Sequence, residues 1–252
     1  MVGRVLSQPW LVGAMALGAL VLGALALGAA HVPTWHRLEN GLEHRWIEAR
    51  DVQADLLRFD LNQFDAEVEM PGPQSPLTAA DAVSAYQATA AVNGGFFDPQ
   101  WRPLGMRISH GNSRVPLRPH VDWGVFVTRS SHAQILHSRQ FQVTPTGDAG
   151  IQVGPRLLVA GQLTKLKPQL AYRSALAVDS TGQYLTIVST AVPVDANVLA
   201  KALQKLGAFS DAVLLDGGPS AQLFAQSGSF VIDRPGGYGV PDLLVLKRRK
   251  VP

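Results

Sequence analysis

The 252-residue chain contains no cysteine. That absence excludes a disulfide scaffold, a thiolate nucleophile and any Cys-ligated zinc or iron–sulfur centre. Charge is also scarce, at 16% of residues against 46% hydrophobic. Such a chain has too few charges for disorder and enough apolar side chains for a sizeable core. There is no phosphate loop ending in Gly-Lys-Ser/Thr, no dinucleotide Gly-x-Gly-x-x-Gly turn and no His-Glu-x-x-His helix. Ser220, in Gly218-Pro219-Ser220-Ala221-Gln222, lacks the closing glycine of a Gly-x-Ser-x-Gly elbow, which argues against a serine-hydrolase triad. The seven histidines do not cluster at ligand spacing. His36 and His44 read as solvated, and only His110, just after a Gly-rich segment, stays under consideration.

Net charge is +3, but it is unevenly placed. Arg4 and the run Lys247, Arg248, Arg249, Lys250 are five of the 22 basic residues, leaving 17 against 19 acidic ones. A basic tail on a near-neutral body gives no general footprint for nucleic acid. The tail reads as a solubilising terminus, with contact to anionic lipid or polymer as the alternative.

The one long hydrophobic run, residues 10–30, holds 21 residues without a charge. A bilayer core takes about 20 such residues in a helix, whereas the apolar part of a cleaved signal is about 7–15 long. Length therefore favours an uncleaved signal-anchor. Small residues at Ala24-Leu25-Ala26 and Gly28-Ala29-Ala30 keep cleavage open. Glycines 13, 18, 23 and 28 recur every five residues and do not share a helical face, so no dimerisation motif is read. Either way the remainder is expected outside the cytoplasm, periplasmic or at the cell surface. The expected organisation is a signal or anchor over 1–30, a polar juxtamembrane connector over 31–52, one domain over 53–248 and a basic tail end over 249–252.

Within the domain the pattern is mainly β. Leu57, Phe59 and Leu61 alternate with Arg58 and Asp60, as in a half-buried strand. Thr78 with Asp81 three residues on predicts a capped helix over 79–88. Further strands are expected at 90–92, 124–128, 134–137, 174–178 and 184–189, and an edge strand at 242–246. Asp195 opens the clearest helix, 196–206, with Gly207 in the terminating position. Four apolar residues at 212–215 predict a strand buried on both faces. The fold class is α+β: one mixed, strand-rich domain with a few short helices.

Two Gly-rich turns follow buried strands. In Asn93-Gly94-Gly95-Phe96-Phe97-Asp98, the glycines let the backbone approach a ligand, Asn93 and Asp98 supply polar groups, and the phenylalanines supply a wall. In Asp216-Gly217-Gly218-Pro219-Ser220, a carboxylate leaves a strand end beside amides that can face an anion, and Ser220 adds a hydroxyl. Both also read as plain tight turns with self-capping side chains. Arg156 and Arg173 each stand at the mouth of an apolar strand, where a guanidinium can clamp a phosphate or carboxylate.

The order of these segments resembles one family. Val92-Asn93-Gly94-Gly95-Phe96-Phe97 is followed by Pro103-Leu104-Gly105, by Gly154-Pro155-Arg156-Leu157-Leu158 with Gly161 beyond, by Arg173-Ser174-Ala175-Leu176-Ala177-Val178-Asp179, and by Leu215-Asp216-Gly217-Gly218-Pro219-Ser220. This is similar to the phosphodiester glycosidases, over about residues 53–246. The resemblance implies an α+β fold and hydrolysis of a sugar–phosphate diester at the anomeric carbon. It places Asn93, Arg156, Arg173, Asp216, Gly217, Gly218 and Ser220 around the pocket. Gly94 and Asp179, within the same motifs, are further candidates for substrate or phosphate binding. Pro219 stands where the animal member has another Gly, and that member's cysteine-rich modules are absent.

The implied chemistry suits these residues. An ordinary glycosidase needs one carboxyl group to protonate a poor leaving group and a second as base or nucleophile. A phosphomonoester, with a second pKa of about 6, leaves readily and needs charge stabilisation more than a proton. Arg156 and Arg173, helped by the Gly217–Gly218 amides, would supply it. Asp216 would be base or nucleophile, Asn93 would hold a sugar hydroxyl, and Asp98 and Asp179 are the other carboxylates for the role. No cofactor is required. A divalent cation shared by Asp179 and Asp216 fits the residue types, although no spacing demands it. The expected partners are a phosphorylated glycan and, through residues 10–30, a membrane. Two other readings fit the same residues: a non-catalytic accessory that holds a phospho-glycan, and a metal-dependent phosphodiesterase cleaving P–O.

Overall fold

The computed structural model describes residues 34–142 and 148–250. The apolar run 10–30, with its anchor or signal, lies outside the described residues. Among the described residues no helix is long and apolar enough to cross a membrane. The described residues make one compact unit.

An eight-stranded antiparallel sheet organises the molecule. Its spatial order is His36–Glu39, Leu42–Ala49, Val52–Asp60, Tyr184–Thr190, Ser174–Val178, Asp211–Leu214, Arg156–Val159, Gln162–Leu163. Side chains alternate between faces along a strand, and here both faces are covered. Leu57, Phe59, Leu176, Ile187 and Val213 enter the main core. Ala54, Leu56, Ala175, Ala177 and Leu214 face the other way, against Leu199, Ala200 and Leu203 of the helix Ala196–Lys205. The alternation expected at 57–61 is present, with Leu57, Phe59 and Leu61 buried and Arg58 and Asp60 partly exposed, but the strand begins before it. Leu56 and Leu57 are adjacent yet both fully buried, one on each face, and each burial is worth about 1.5–3 kcal/mol.

Two five-stranded sheets close the main core. One runs Asn112–Val115, Arg107–Ser109, Ala149–Val153, Gly124–Arg129, His132–His137; the other runs Phe230–Arg234, Leu223–Ser227, Ala90–Asn93, Leu243–Arg248, Phe64–Glu69. Phe126, Ile135 and Ile151 come from the first, and Phe64, Val68, Val92 and Leu244 from the second. Helix Ala79–Tyr86 covers the outer face of the second sheet with Ala79 and Ala82. Thr78 and Asp81 form the expected capping box, and the helix ends where Gln87 turns left-handed at φ 51°. The other helix is capped by Asp195, and Gly207 follows it at φ +65°.

Three sequence expectations change. The connector is part of the sheet: His36–Glu39 and Leu42–Ala49 are strands. His44 is not solvated but binds Asp55 at 2.9 Å, and Asp55 also takes Arg234 at 2.8 Å, tying the segment down. The strand at the C-terminus is interior to its sheet, between Ala90–Asn93 and Phe64–Glu69. Finally, three of the four residues of the basic run are paired within their own domain. Lys247 pairs with Glu67 and Glu69, Arg248 with Glu39, and Arg249 with Asp65 at 2.9 Å.

Candidate active site

The site forms where two sheets meet end to end. Asn93 ends the strand Ala90–Asn93, and Asp216 follows the strand Asp211–Leu214. The Asp216 N–H donates to the Gly94 carbonyl at 3.1 Å, so the two Gly-rich turns are joined directly. Asn93 is fully buried and makes the joint rigid. Its Nδ2 donates to the Asp216 carbonyl at 2.8 Å, and its Oδ1 accepts from the Gln222 N–H at 3.1 Å. With both ends of its amide occupied, Asn93 acts here as a structural tie between turns. Gln222, 1% exposed, extends the network. Its Oε1 accepts from the N–H of Ala79 at 2.7 Å, and its Nε2 donates to the carbonyl of Tyr238 at 3.0 Å.

Beneath the first turn lies an ion pair that sequence reading missed. Arg107 and Asp242 are both fully buried side chains; Arg107 Nε donates to Asp242 Oδ1 at 2.8 Å. Arg107 Nη1 reaches the carbonyls of Leu104, Gly105, Met106 and Gln152 at 3.1–3.3 Å, and Nη2 reaches that of Phe96 at 3.2 Å. Asp242 in turn accepts from the Gly95 N–H at 3.0 Å. Gly94 is dictated by this pair, since a Cβ there would fall 1.7 Å from Asp242 Oδ1. Nothing in the local sequence around Arg107 or Asp242 signals a partner more than a hundred residues away.

Asp216 is a titratable group that the site shifts upward. Burial raises its carboxyl above the usual carboxylate range, and the nearby Asp242 charge adds to this. Hydrogen bonds from the Ser220 side chain and the Gly217 N–H, the latter at 3.0 Å, and the positive charge of Arg107 oppose the rise without cancelling it. The Gly217 and Gly218 amides do not face an anion as expected. The first serves Asp216 itself, and the second donates to the Tyr172 carbonyl at 2.9 Å. Glycine is needed there for another reason: a Cβ on Gly217 would sit 3.0 Å from that carbonyl, and Gly218 has φ +61°.

Arg173 supplies the cation. It is 7% exposed, and burial lowers its pKa, with the charge of Asp195 opposing. Its Nε donates to the Val194 carbonyl at 3.3 Å and its Nη2 to the Gln169 carbonyl. Among the described residues it has no carboxylate partner within ion-pair distance, and its Nη1 makes no hydrogen bond. That Nη1 lies 3.6 Å from where a Cβ of Gly217 would stand. A buried guanidinium with an unused arm beside the Asp216 turn can stabilise an anion there.

The remaining predicted residues divide. Arg156 pairs across the sheet with Val213, about 10 Å along the strand from Asp216. Its stem runs past Gly124, where a Cβ would be 2.9 Å from its Cγ, and its side chain makes no hydrogen bond or ion pair among the described residues. Asp98 is committed to its own loop, accepting from the N–H groups of Gln100 and Arg102 and from Arg102 Nε; these bonds hold its carboxyl below the usual range. Asp179 is not brought to the site. It caps a turn through Thr181 and the Tyr184 N–H at the far end of the strand Ser174–Val178, about 17 Å from the Asp216 end. Asp179 and Asp216 therefore cannot share a cation. Among the described residues the only carboxylate–histidine cluster with metal-like spacing is Glu67, Glu69 and His110, and the Lys247 ammonium bonds both glutamates.

Comparison with known proteins supplies the context for this arrangement. The family model described as phosphodiester glycosidase matches residues 86–251. No curated protein sequence matches the chain. Among solved structures, the chain is similar to the catalytic domain of zebrafish N-acetylglucosamine-1-phosphodiester alpha-N-acetylglucosaminidase, auto-inhibited by its pro-peptide. That likeness has TM-score 0.63 and 18% identity, covering 86% of this chain and 82% of that one. It is also similar to a hypothetical protein from Synechocystis, with TM-score 0.60 and 17% identity, covering 87% of this chain and 65% of that one. The likeness in fold covers a larger share of the chain than the segment that the family model matches. With the family model spanning both Gly-rich turns, Arg107, Arg156, Arg173 and Asp242, the chain belongs to the phosphodiester glycosidase family.

Proposed function

We propose that this protein is an exported hydrolase that cleaves a sugar-1-phosphodiester at its anomeric carbon, releasing free sugar and a phosphomonoester. Envelope or exopolysaccharide glycans are the substrates we infer, with residues 10–30 holding the enzyme to the membrane from the extracytoplasmic side. The observation that carries the reading is the buried Arg173, which has no carboxylate partner among the described residues and presents Nη1 to the turn bearing Asp216.

In this mechanism water, or Asp216 itself in a two-step route, attacks the anomeric carbon. The C–O bond to phosphate breaks and its electron pair leaves with the phosphate oxygen. The departing monoester gains a second negative charge, which Arg173 stabilises. Asp216 must be ionised to act as base or nucleophile. Because burial raises its carboxyl, the acid limb of the kcat/KM profile falls above the ordinary Asp value of about 3.9.

The test is incubation of the full chain with an N-acetylglucosamine-1-phosphodiester, followed by phosphorus NMR in oxygen-18 water. A new phosphomonoester with label in the sugar supports the proposal, and label in the phosphate overturns it in favour of P–O cleavage. Ligand-induced thermal stabilisation without product, across a panel of sugar-1-phosphodiesters and with calcium or magnesium added, overturns catalysis in favour of a phospho-glycan binding role.

A further inference from the structure

The loop after Phe97 leaves the floor of the site and folds back on itself. Asp98 binds the N–H groups of Gln100 and Arg102, and the Trp101 N–H donates to the Asp98 carbonyl at 2.8 Å. This box holds Trp101 at φ +63°, a left-handed conformation that bulky residues seldom adopt. The conformation builds an aromatic cluster. Phe97 and Trp101 stack at 5.1 Å with 13° between rings, and Tyr238 meets Trp101 edge-on at 5.4 Å and 78°. Tyr238 is 40% exposed, so the cluster reaches the surface.

The cluster is wired to the catalytic carboxylate. The Tyr238 hydroxyl lies 3.3 Å from Ser220 Oγ, and Ser220 belongs to the same turn as Asp216, where its side chain lowers the Asp216 carboxyl against the rise from burial. Gln222 fixes the arrangement by donating to both the Ser220 and the Tyr238 carbonyls. Arg173 approaches the same turn at Gly217 instead. An aromatic wall flanked by hydroxyls matches a ligand with an apolar C–H face and a polar rim. An aromatic face is the negative end of the ring quadrupole and attracts such C–H groups.

We propose that Phe97, Trp101 and Tyr238 form a platform for the pyranose ring whose anomeric carbon faces Asp216, and that Asp98 is a positioning residue that keeps Trp101 in place. This rests on the hydrolase reading above. The phosphate then lies towards Arg173, and the scissile bond lies between the cation and the platform.

Trp101→Gly gives a clean variant, because glycine adopts the left-handed backbone freely. With full-length protein and an N-acetylglucosamine-1-phosphodiester, the expected result is a KM about tenfold higher and kcat within about twofold, since stacking binds ground state and transition state alike. Circular dichroism and the melting temperature check that the variant is folded. Asp98→Ala should raise KM in the same sense, and Asp98→Asn, which keeps an acceptor, should partly restore it. Binding is read separately, by tryptophan fluorescence of Asp216→Asn with and without Trp101→Phe, titrated with methyl N-acetylglucosaminide and methyl glucoside. Turnover with an unmoved KM in Trp101→Gly overturns the platform and leaves the hydrolase standing. A Trp101-dependent signal, together with no phosphodiester turnover by the parent protein that carries Asp216, keeps the platform and overturns the hydrolase. Absence of any Trp101-dependent signal overturns the platform.

Discussion

Arg107 and Arg173 are both buried, and the protein uses them differently. Arg107 has every arm occupied, by Asp242 and by five backbone carbonyls, and it sits under the Gly94–Gly95 turn as a strut. Arg173 has two carbonyls, no carboxylate partner among the described residues, and an Nη1 left over beside Gly217. A saturated guanidinium fixes geometry. An unsaturated one keeps a charged donor free for an incoming anion. Burial alone therefore does not mark a functional arginine in this fold, and neither does a missing partner: Arg45 is 5% exposed and its Nε and Nη2 are unpaired among the described residues. What sets Arg173 apart is that its free Nη1 lies beside the Asp216 turn.

The largest effect should come from breaking the saturated pair. Arg107→Met leaves Asp242 buried without its cation, and loss of one partner of such a pair costs about 3–5 kcal/mol. Urea unfolding of Arg107→Met, Asp242→Leu and the double variant measures it. The double variant should recover a substantial part of the loss. If the single variants lose less than about 1 kcal/mol, Arg107 is not the strut described here.

Arg173→Met should invert that pattern. Its removal relieves a desolvated cation, so stability should stay within about 1 kcal/mol of the parent. Turnover of a sugar-1-phosphodiester should fall by about 10²–10³, the scale seen when a transition-state charge loses its stabiliser. A large loss of stability with unimpaired turnover would make Arg173 a second Arg107 and dissolve the comparison.

Asp216→Asn sharpens the contrast from the acidic side. The folded-state carboxyl is raised by burial, so the native state favours the neutral form. Stability from this group is complete below the unfolded Asp value of about 3.9 and is lost as pH rises through the raised folded value. The amide removes that loss. Asp216→Asn should therefore melt higher than the parent at neutral pH, with the gain shrinking to nothing in acid, while turnover disappears. Melting curves from pH 3 to pH 8 decide this, and an equal shift at all pH values would exclude titration of Asp216 as the cause.

How much of this was legible beforehand depended on how local the cause was. The capping box of Thr78 and Asp81, the Asp195 cap and the buried strand ending at Asp216 are short-range features, and the structure has them. The two Gly-rich turns could be named as a pair from the order of segments, but not the bond from Asp216 to Gly94 that joins them. Arg107, Asp242 and Gln222 were invisible because their partners lie 135 and 143 residues away, and no spacing rule covers such contacts. Asp179 misled for the opposite reason. It shares a seven-residue motif with Arg173, yet an extended strand carries the two ends apart. The connector misread came from composition, because polar strands at a sheet edge look like linker until their ion pairs are seen.

The smallest effect concerns the basic run at the C-terminus, which the isolated sequence offered as a lipid-binding tail. Lys247, Arg248 and Arg249 instead face Glu67, Glu69, Glu39 and Asp65. Those pairs are partly exposed, where each is worth about 0.2–1 kcal/mol and is screened by salt. Arg249→Ala should therefore cost less than about 1 kcal/mol, with the difference fading as salt rises. A carboxylate beside each of these cations also cancels most of the attraction to an anionic surface, which free lysines or arginines would have at about 1 kcal/mol each. Deleting residues 249–252 should leave vesicle binding unchanged between neutral and anionic lipid. A salt-sensitive loss of binding to anionic vesicles would mean that the membrane outcompetes Asp65 for Arg249, and that this edge of the domain opens at the bilayer.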